Sequence, residues 1–328
     1  TLHPRDHSLV MGTHGRGVII IDDVRPLRAL KPEVLEENVH FFESPPVVIK
    51  EQPSFGGSAS YGEFVGSNPS SAAKITYFMK KRHIFGKMTM EILDQDGEQV
   101  ASLTPGKAKG INIVEWNYRL RRPKVAKAKT FSFGGFATPT VPPGEYTVRL
   151  TKGKATYEQQ IKLVPDPNSV HSAEERALQH ETVMKLYDMN EELAYQVDRI
   201  EQLKAGLAQI ETSNLPKKLQ GRLKAFEEQL EATRKTLVVT TGDNYVASAE
   251  PQLREKIAEL YSEVAGYLGK PSNAQLEALA LRQQELKAAI ASIDELMRQL
   301  PKINKQLEQA QLPMLEYRSK ESFLMADQ

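Results

Sequence analysis

The sequence predicts a multidomain α+β protein in which a β-sandwich precedes an antiparallel α-helical bundle. Two rhythms carry this reading. Apolar residues alternate in period two between about Ala72 and Val164, as half-buried strands require. From Leu186 to Leu307 they recur every seventh residue, as packed helices require. Pro165-Asp166-Pro167 stands where one rhythm gives way to the other, and proline punctuates both.

The strands are predicted at 74–79, 87–93, 99–103, 111–116, 145–150 and 157–164, with turn residues between them. Asp94-Gln95-Asp96-Gly97 has the Asp-Gly step that closes hairpins, and Pro142-Pro143-Gly144 precedes another strand. About seven short strands with turns every ~8–12 residues indicate a sandwich of immunoglobulin type over 71–165. Trp116, the single tryptophan, sits in one of these strands with Ile111, Ile113 and Val114 and is expected in the core.

The helical region is expected over 166–328. Leu186, Leu193, Ile200 and Leu207 mark the first helix, with Val197, Leu203 and Ile210 on the same face. Leu219, Leu223, Phe226, Leu230 and Leu237 mark a second; Leu253, Ile257, Leu260, Val264 and Tyr267 mark a third. Leu279, Leu286, Ile293, Leu300 and Leu307 mark a fourth at strict seven-residue spacing, with Ile290 and Met297 alongside, a coiled-coil pattern. The short turn Ser213-Asn214-Leu215-Pro216 makes the first two helices antiparallel neighbours. Ser272 or Asn273 is the expected N-cap of the last, and Pro301 should break it near Leu300.

The first 70 residues divide differently. Residues 8–24 form a hairpin signal, two apolar runs around Gly12-Thr13-His14-Gly15-Arg16-Gly17. Residues 26–70 read as a Pro/Gly-rich connector with a loop at 56–60, while 39–42 and 47–49 are short extended pieces suited to packing along a neighbouring domain. The chain opens on Thr1 and enters a buried-looking strand almost at once. A lone strand pair needs further strands to be stable, so sequence is expected upstream.

Composition bounds the chemistry. Without cysteine there are no disulfides, no thiolate zinc sites and no thiol nucleophile. No apolar run approaches the ~18 residues of a membrane helix. The net charge of +1 hides an uneven distribution: −3 over residues 1–70, +10 over 71–165 and −6 over 166–328. Acidic flanks around a basic middle fit separate domains and intramolecular docking.

Three stretches together resemble large secreted bacterial proteins with sortilin-like, BNR-repeat β-propellers, often described as glycosyl hydrolases. The first is His3-Pro4-Arg5-Asp6 with Leu9-Val10-Met11-Gly12-Thr13-His14-Gly15-Arg16-Gly17-Val18 and Asp22-Asp23, similar to the last strands of such a propeller. The second, Gly110, Trp116-Asn117 and Pro143-Gly144-Glu145-Tyr146-Thr147-Val148-Arg149-Leu150, is similar to the Ig-like domain of the flagellar hook-capping protein. The third, Gly269-Lys270-Pro271-Ser272-Asn273-Ala274-Gln275, is similar to that family's helical tail. The resemblance implies that residues 1–25 are terminal propeller strands, with the Asp-box repeats and any catalytic carboxylates upstream of Thr1. It implies a secreted, periplasmic or cell-surface bacterial protein whose partners are the upstream propeller and another envelope or secreted protein. This chain would be a non-catalytic bracing and docking region; the alternative is part of a glycan- or glycoprotein-acting hydrolase with its active site in the propeller.

No constellation of catalytic residues, cofactor ligands or metal ligands is read from the sequence. The glycine-rich 12–17 stretch lacks the Lys-Ser/Thr of a phosphate loop and opens no helix, so a tight turn is expected, with His14 and Arg16 as its ligand-facing candidates. His3 and His7 have i,i+4 spacing beside Asp6, but Pro4 removes the helix that would align them. Asp94, Asp96 and Gly97 imitate the start of a calcium loop without its flanking helices, and a hairpin turn accounts for them. Arg119, Arg121 and Arg122, followed by Lys124, Lys127 and Lys129, form a basic run before Phe131 and Phe133. No nucleic-acid-binding module accompanies it, so nucleic acid is not the expected partner. A solvated loop, or one docked on the acidic helices, is expected there, with the three arginines as contact candidates. The apolar stripe Leu312-Pro313-Met314-Leu315 is a further expected contact point.

Overall fold

A computed structural model describes residues 1–4, 7–50, 70–131, 133–211, 213, 215–241 and 249–326. Arg5, Asp6, the loop expected at 56–60 and Asn214 of the interhelical turn lie outside the described residues. The chain is mixed α and β and divides into two compact units. One holds Thr1–Arg121 with Thr140–Ser169, the other Arg122–Pro139 with Val170–Gln328.

The first unit begins with the antiparallel pair β1 (Leu9–Gly12) and β2 (Val18–Ile21). Two single-turn helices follow, α1 (Arg25–Ala29) and α2 (Pro32–Glu36). Each has proline in its first turn, where the missing N–H has no partner to lose. The strands β3 (Val39–Phe41), β4 (Val47–Ile49), β5 (Ala73–Met79), β6 (Met88–Leu93), β7 (Gln99–Leu103), β8 (Gly110–Trp116), β9 (Gly144–Lys152) and β10 (Ala155–Pro165) make two sheets. One has the order β4-β10-β9-β6-β7, the other β3-β5-β8. All pairs are antiparallel except β4 with β10.

Period-two burial builds this unit's core. Ala73, Ile75, Tyr77 and Met79 of β5 turn one way, as do Met88, Met90 and Ile92 of β6, and Tyr146, Val148 and Leu150 of β9. Trp116 of β8 meets Tyr146 of β9 edge to face at 5.2 Å, so the two sheets share one interior. Phe78 points to the opposite face, where Val34 of α2 and Phe42 cover it. The segment expected as a connector therefore does more than connect: β3 and β4 extend both sheets, with Val39, Phe42 and Ile49 buried. The β6–β7 hairpin closes as its Asp-Gly step requires. The Asp94 carboxylate accepts the N–H groups of Asp96 and Glu98, and Gly97 adopts φ +81°.

The second unit contains α3 (Ala173–Ala208), α4 (Lys217–Leu237), α5 (Leu253–Ala265), α6 (Asn273–Met297), α7 (Leu300–Gln309), α8 (Lys320–Met325) and a 3-10 turn at Phe133–Phe136. Helices α3 and α6 start with capping boxes, Ser172 with Glu175 and Ser272 with Gln275, each satisfying two orphan N–H groups. Side-chain pairs fix the directions. Lys204 meets Glu231 while Glu201 meets Arg234, so α3 and α4 run antiparallel. Arg222 donates to Gln306 and Gln299 to Gln229, so α4 also runs antiparallel to the α6–α7 stretch. The residues Leu186, Leu193, Ile200, Leu219, Leu230, Leu286, Ile293 and Leu307 of the predicted helix faces are all buried. The helix breaks between Met297 and Leu300, next to Pro301.

Two expectations for this unit need correction. Tyr267 lies past the end of α5 and is exposed, its ring against His171. Leu315 of the supposed contact stripe is buried, and both its N–H and its carbonyl bond to the Asn304 side chain at 2.9 Å. Only Met314 of that stripe is a large exposed apolar side chain. The basic run after Arg121 clusters with the helices, one of the two placements expected for it, since residues 122–139 belong to this unit. Among the described residues, no helix is long and apolar enough to cross a membrane.

Candidate interaction site

The β1–β2 hairpin presents the most unusual surface of the first unit. Thr13 turns the chain through its N–H and hydroxyl, which both donate to the Gly17 carbonyl at 3.0 and 2.8 Å. Gly15 and Gly17 adopt φ +81° and +76°, conformations that only glycine takes without strain. His14 and Arg16 are exposed at this tip, so the glycine-rich stretch is a turn between strands.

The register decides which backbone groups of β2 remain. In an antiparallel pair, bonded and non-bonded residue pairs alternate. Thr13 with Gly17 is a bonded pair, hence so are Met11 with Ile19 and Leu9 with Ile21. The N–H and C=O groups of Val18 and Ile20 then point away from β1. The far side of β1 is already taken, because Thr1 and Val10 exchange two backbone bonds of 2.8 Å. So β2 is the edge of this small sheet, and its edge groups have no backbone partner among the described residues.

Its side chains are exposed too. Val18 is 67%, Ile19 44%, Ile20 58% and Ile21 39% accessible. The sequence reads this run as one arm of a hairpin, and its exposure has a physical reason: a two-stranded ribbon covers neither face of a strand that carries apolar residues on both. Just past β2 the chain is anchored. Arg25 grips the Asp23 carboxylate through Nε and Nη2 at 2.7 and 2.8 Å, holding that carboxyl below its usual range. Asp22 pairs with Lys74 of β5 at 3.4 Å.

Of the three arginines of the basic run, two belong to the first unit and one to the second. Arg119 bridges Thr140 in the first unit, and Arg121 is the last residue of that unit's first segment. Arg122 belongs to the helical unit, its guanidinium 5.8 Å from the Phe136 ring centre. Beyond it, residues 124–130 are held by a group the sequence does not advertise. Arg254, buried in α5, donates through Nε to the Ala126 carbonyl and through Nη1 to the Thr130 carbonyl, each at 3.0 Å. Its charge is balanced by Glu255 at 2.8 Å, which also accepts the Thr130 hydroxyl at 2.7 Å. Lys129 donates its N–H to the Val239 carbonyl at 3.0 Å.

A groove of about 770 Å³ lies beside this stretch, lined by Lys124, Lys127, Ala194, Asp198, Arg234 and Arg318 among others. Its charges are largely used internally. Arg318 binds Asp198 through two contacts of 2.8 Å, Arg234 pairs with Glu201, and the Lys124 ammonium donates to the Phe323 carbonyl. Deeper in the helices Arg199 is buried between Gln196, Asp294 and the Tyr317 hydroxyl. These networks stabilise the fold, and among the described residues no group of three or more His, Asp or Glu side chains could hold a metal ion. The chain matches no known protein family, no curated protein and no solved structure.

Proposed function

We propose that the chain is a non-catalytic structural and protein-interaction region of a secreted or envelope β-propeller protein of bacteria. In this reading the β1–β2 hairpin completes a sheet of the upstream propeller, and the rest braces that propeller and docks on a partner in the envelope. The observation that carries it is the edge of β2, four exposed apolar side chains along a strand whose edge groups have no backbone partner among the described residues. Such an edge is a template for another strand, and left open it favours aggregation.

The finer architecture belongs to the same reading. An immunoglobulin-like sandwich is favoured by the Tyr146 hydroxyl, which donates to the Pro142 carbonyl at 2.7 Å, four residues upstream. This is the arrangement of a tyrosine corner, and the buried Trp116 packs against that ring. Heptad seams in an antiparallel bundle are favoured by the buried leucines of α3, α4 and α6.

Amide hydrogen exchange tests the role of β2. The free chain should exchange Val18 and Ile20 quickly and Ile19 and Ile21 slowly, because only the latter bond to β1. In the intact native protein isolated from its source, Val18 and Ile20 should become protected. Equally fast exchange of both amides in the intact protein would rule out strand addition at this edge.

A further inference from the structure

Positive charge collects at one end of the two sheets. The β5–β6 loop brings Lys81, Arg82 and Lys87, the β7–β8 loop Lys107 and Lys109, and the β9–β10 turn Lys152 and Lys154. Backbone bonds hold the loops side by side. The His83 N–H donates to the Lys107 carbonyl at 3.0 Å, and the Gly153 N–H to the Lys87 carbonyl at 3.4 Å. Strand register agrees, pairing Met79 with Gly110 and Met88 with Lys152. Among the described residues none of these cations is in an ion pair; Lys80 beside them is engaged by Glu36 at 2.6 Å. The opposite end carries Asp94, Asp96 and Glu98 on the β6–β7 turn, so charge is separated along the strands.

An apolar tip stands within this cationic rim. Ile84 is 69% and Phe85 87% accessible, flanked by Arg82-His83 and Gly86-Lys87. The tip has a defined shape: Gly86 takes φ +88°, and the His83 ring meets the Gly86 carbonyl at 3.1 Å. Two large apolar side chains held in water inside a ring of cations are mismatched to solvent. They match a surface that is anionic outside and hydrocarbon just beneath. A soluble polyanion would satisfy the cations, and a base could stack on Phe85, but neither gives the aliphatic Ile84 a place out of water.

We infer that this end of the sheet unit docks on an anionic lipid surface, with the cations against headgroup phosphates and Ile84 and Phe85 in the acyl boundary. The inference does not depend on the role of the β1–β2 hairpin. The test uses the full chain and vesicles of phosphatidylcholine alone or mixed in roughly equal parts with phosphatidylglycerol. Flotation should recover the chain with the mixed vesicles and not with phosphatidylcholine, and salt should release it. Replacing Lys81 or Lys109 by Ala should weaken binding about fivefold each, on the order of one surface charge. A Phe85→Trp variant should shift its emission to the blue on mixed vesicles, since the native Trp116 is already fully buried. Ile84→Ser with Phe85→Ser should abolish flotation while Trp116 emission stays native. No flotation on either vesicle overturns the inference. Flotation untouched by the serine pair replaces it with a plain polyanion site. So does displacement of the vesicles by heparin or RNA while the emission of the Phe85→Trp variant stays unshifted.

Discussion

Two non-helical stretches, β2 at 18–21 and residues 124–130, have their backbones treated in opposite ways. The first has exposed apolar side chains and edge groups with no backbone partner among the described residues. The second has its carbonyls bound by the buried Arg254, an N–H bound by Val239, and Ala126 and Thr130 packed inside. A buried backbone group without a partner costs about as much as a lost hydrogen bond, so the helical unit had to supply partners where it covered the chain. Nothing described performs that service for β2. The difference separates a segment the fold has consumed from one it still offers.

The largest expected effect comes from breaking the consumed segment. Arg254→Ala strands Glu255, the Ala126 carbonyl and the Thr130 carbonyl in the interior, a loss of roughly 3–5 kcal/mol for a buried, hydrogen-bonded charge pair. The chain supplies its own control. Its single tryptophan lies in the sheet unit, so tryptophan fluorescence follows that unit while helical dichroism follows the other. In urea, Arg254→Ala should move the dichroism transition to lower denaturant and leave the fluorescence transition in place. Coincident shifts of both would show that the two units unfold as one.

Alkali should act on the opposite unit. Burial pushes the hydroxyls of Tyr77 and Tyr146 up to about 12, and Tyr77 donates to the Gly106 carbonyl at 2.5 Å. In the unfolded chain these groups ionise near ~10. Their contribution is therefore complete below pH ~10 and is lost as pH rises through the folded value of about 12, roughly 2 kcal/mol for each tyrosine. The fluorescence transition should move to lower urea over that window. Tyr146→Phe should remove about half of the dependence, and its cost at neutral pH should be near the ~1 kcal/mol of one hydrogen bond. A dependence unchanged in that variant would place the titrating groups elsewhere.

Much of the helical core was legible because burial there follows a period the sequence carries. Leu186, Leu193 and Ile200 repeat every seventh residue, and all are buried. What escaped was the rest of α3, a helix covered on several sides, where Gln179, Asn190, Gln196 and Arg199 are also buried. An apolar stripe marks one face, and polar residues on the others read as solvated. Their partners are distant in sequence, as with Gln179 and the Val264 carbonyl, so no local pattern announces them. Arg254 is hidden for the same reason, since Leu253-Arg254-Glu255-Lys256 looks like an ordinary charged helix start. Of the contact candidates, the hairpin tip was legible from glycine spacing, while the exposure of Ile19 to Ile21 was not: apolar runs of strand length read as buried whatever covers them.

The smallest expected effect is at the offered segment, and its smallness is the point. Ile20 lies at the free edge and is more than half exposed, so its side chain removes little apolar area from water within this chain. Threonine keeps the β-branched shape that suits a strand and adds a hydroxyl that water can solvate. Ile20→Thr should leave both urea transitions within about 0.5 kcal/mol of the parent, as surface substitutions usually do. Self-association at high protein concentration, followed by light scattering, should fall, because edge pairing between copies loses an apolar contact. A loss above ~1 kcal/mol in the fluorescence transition would mean that β2 is covered by its own chain. The contrast with the Arg254-bound stretch would then disappear, and with it the reason to look for a partner at this edge.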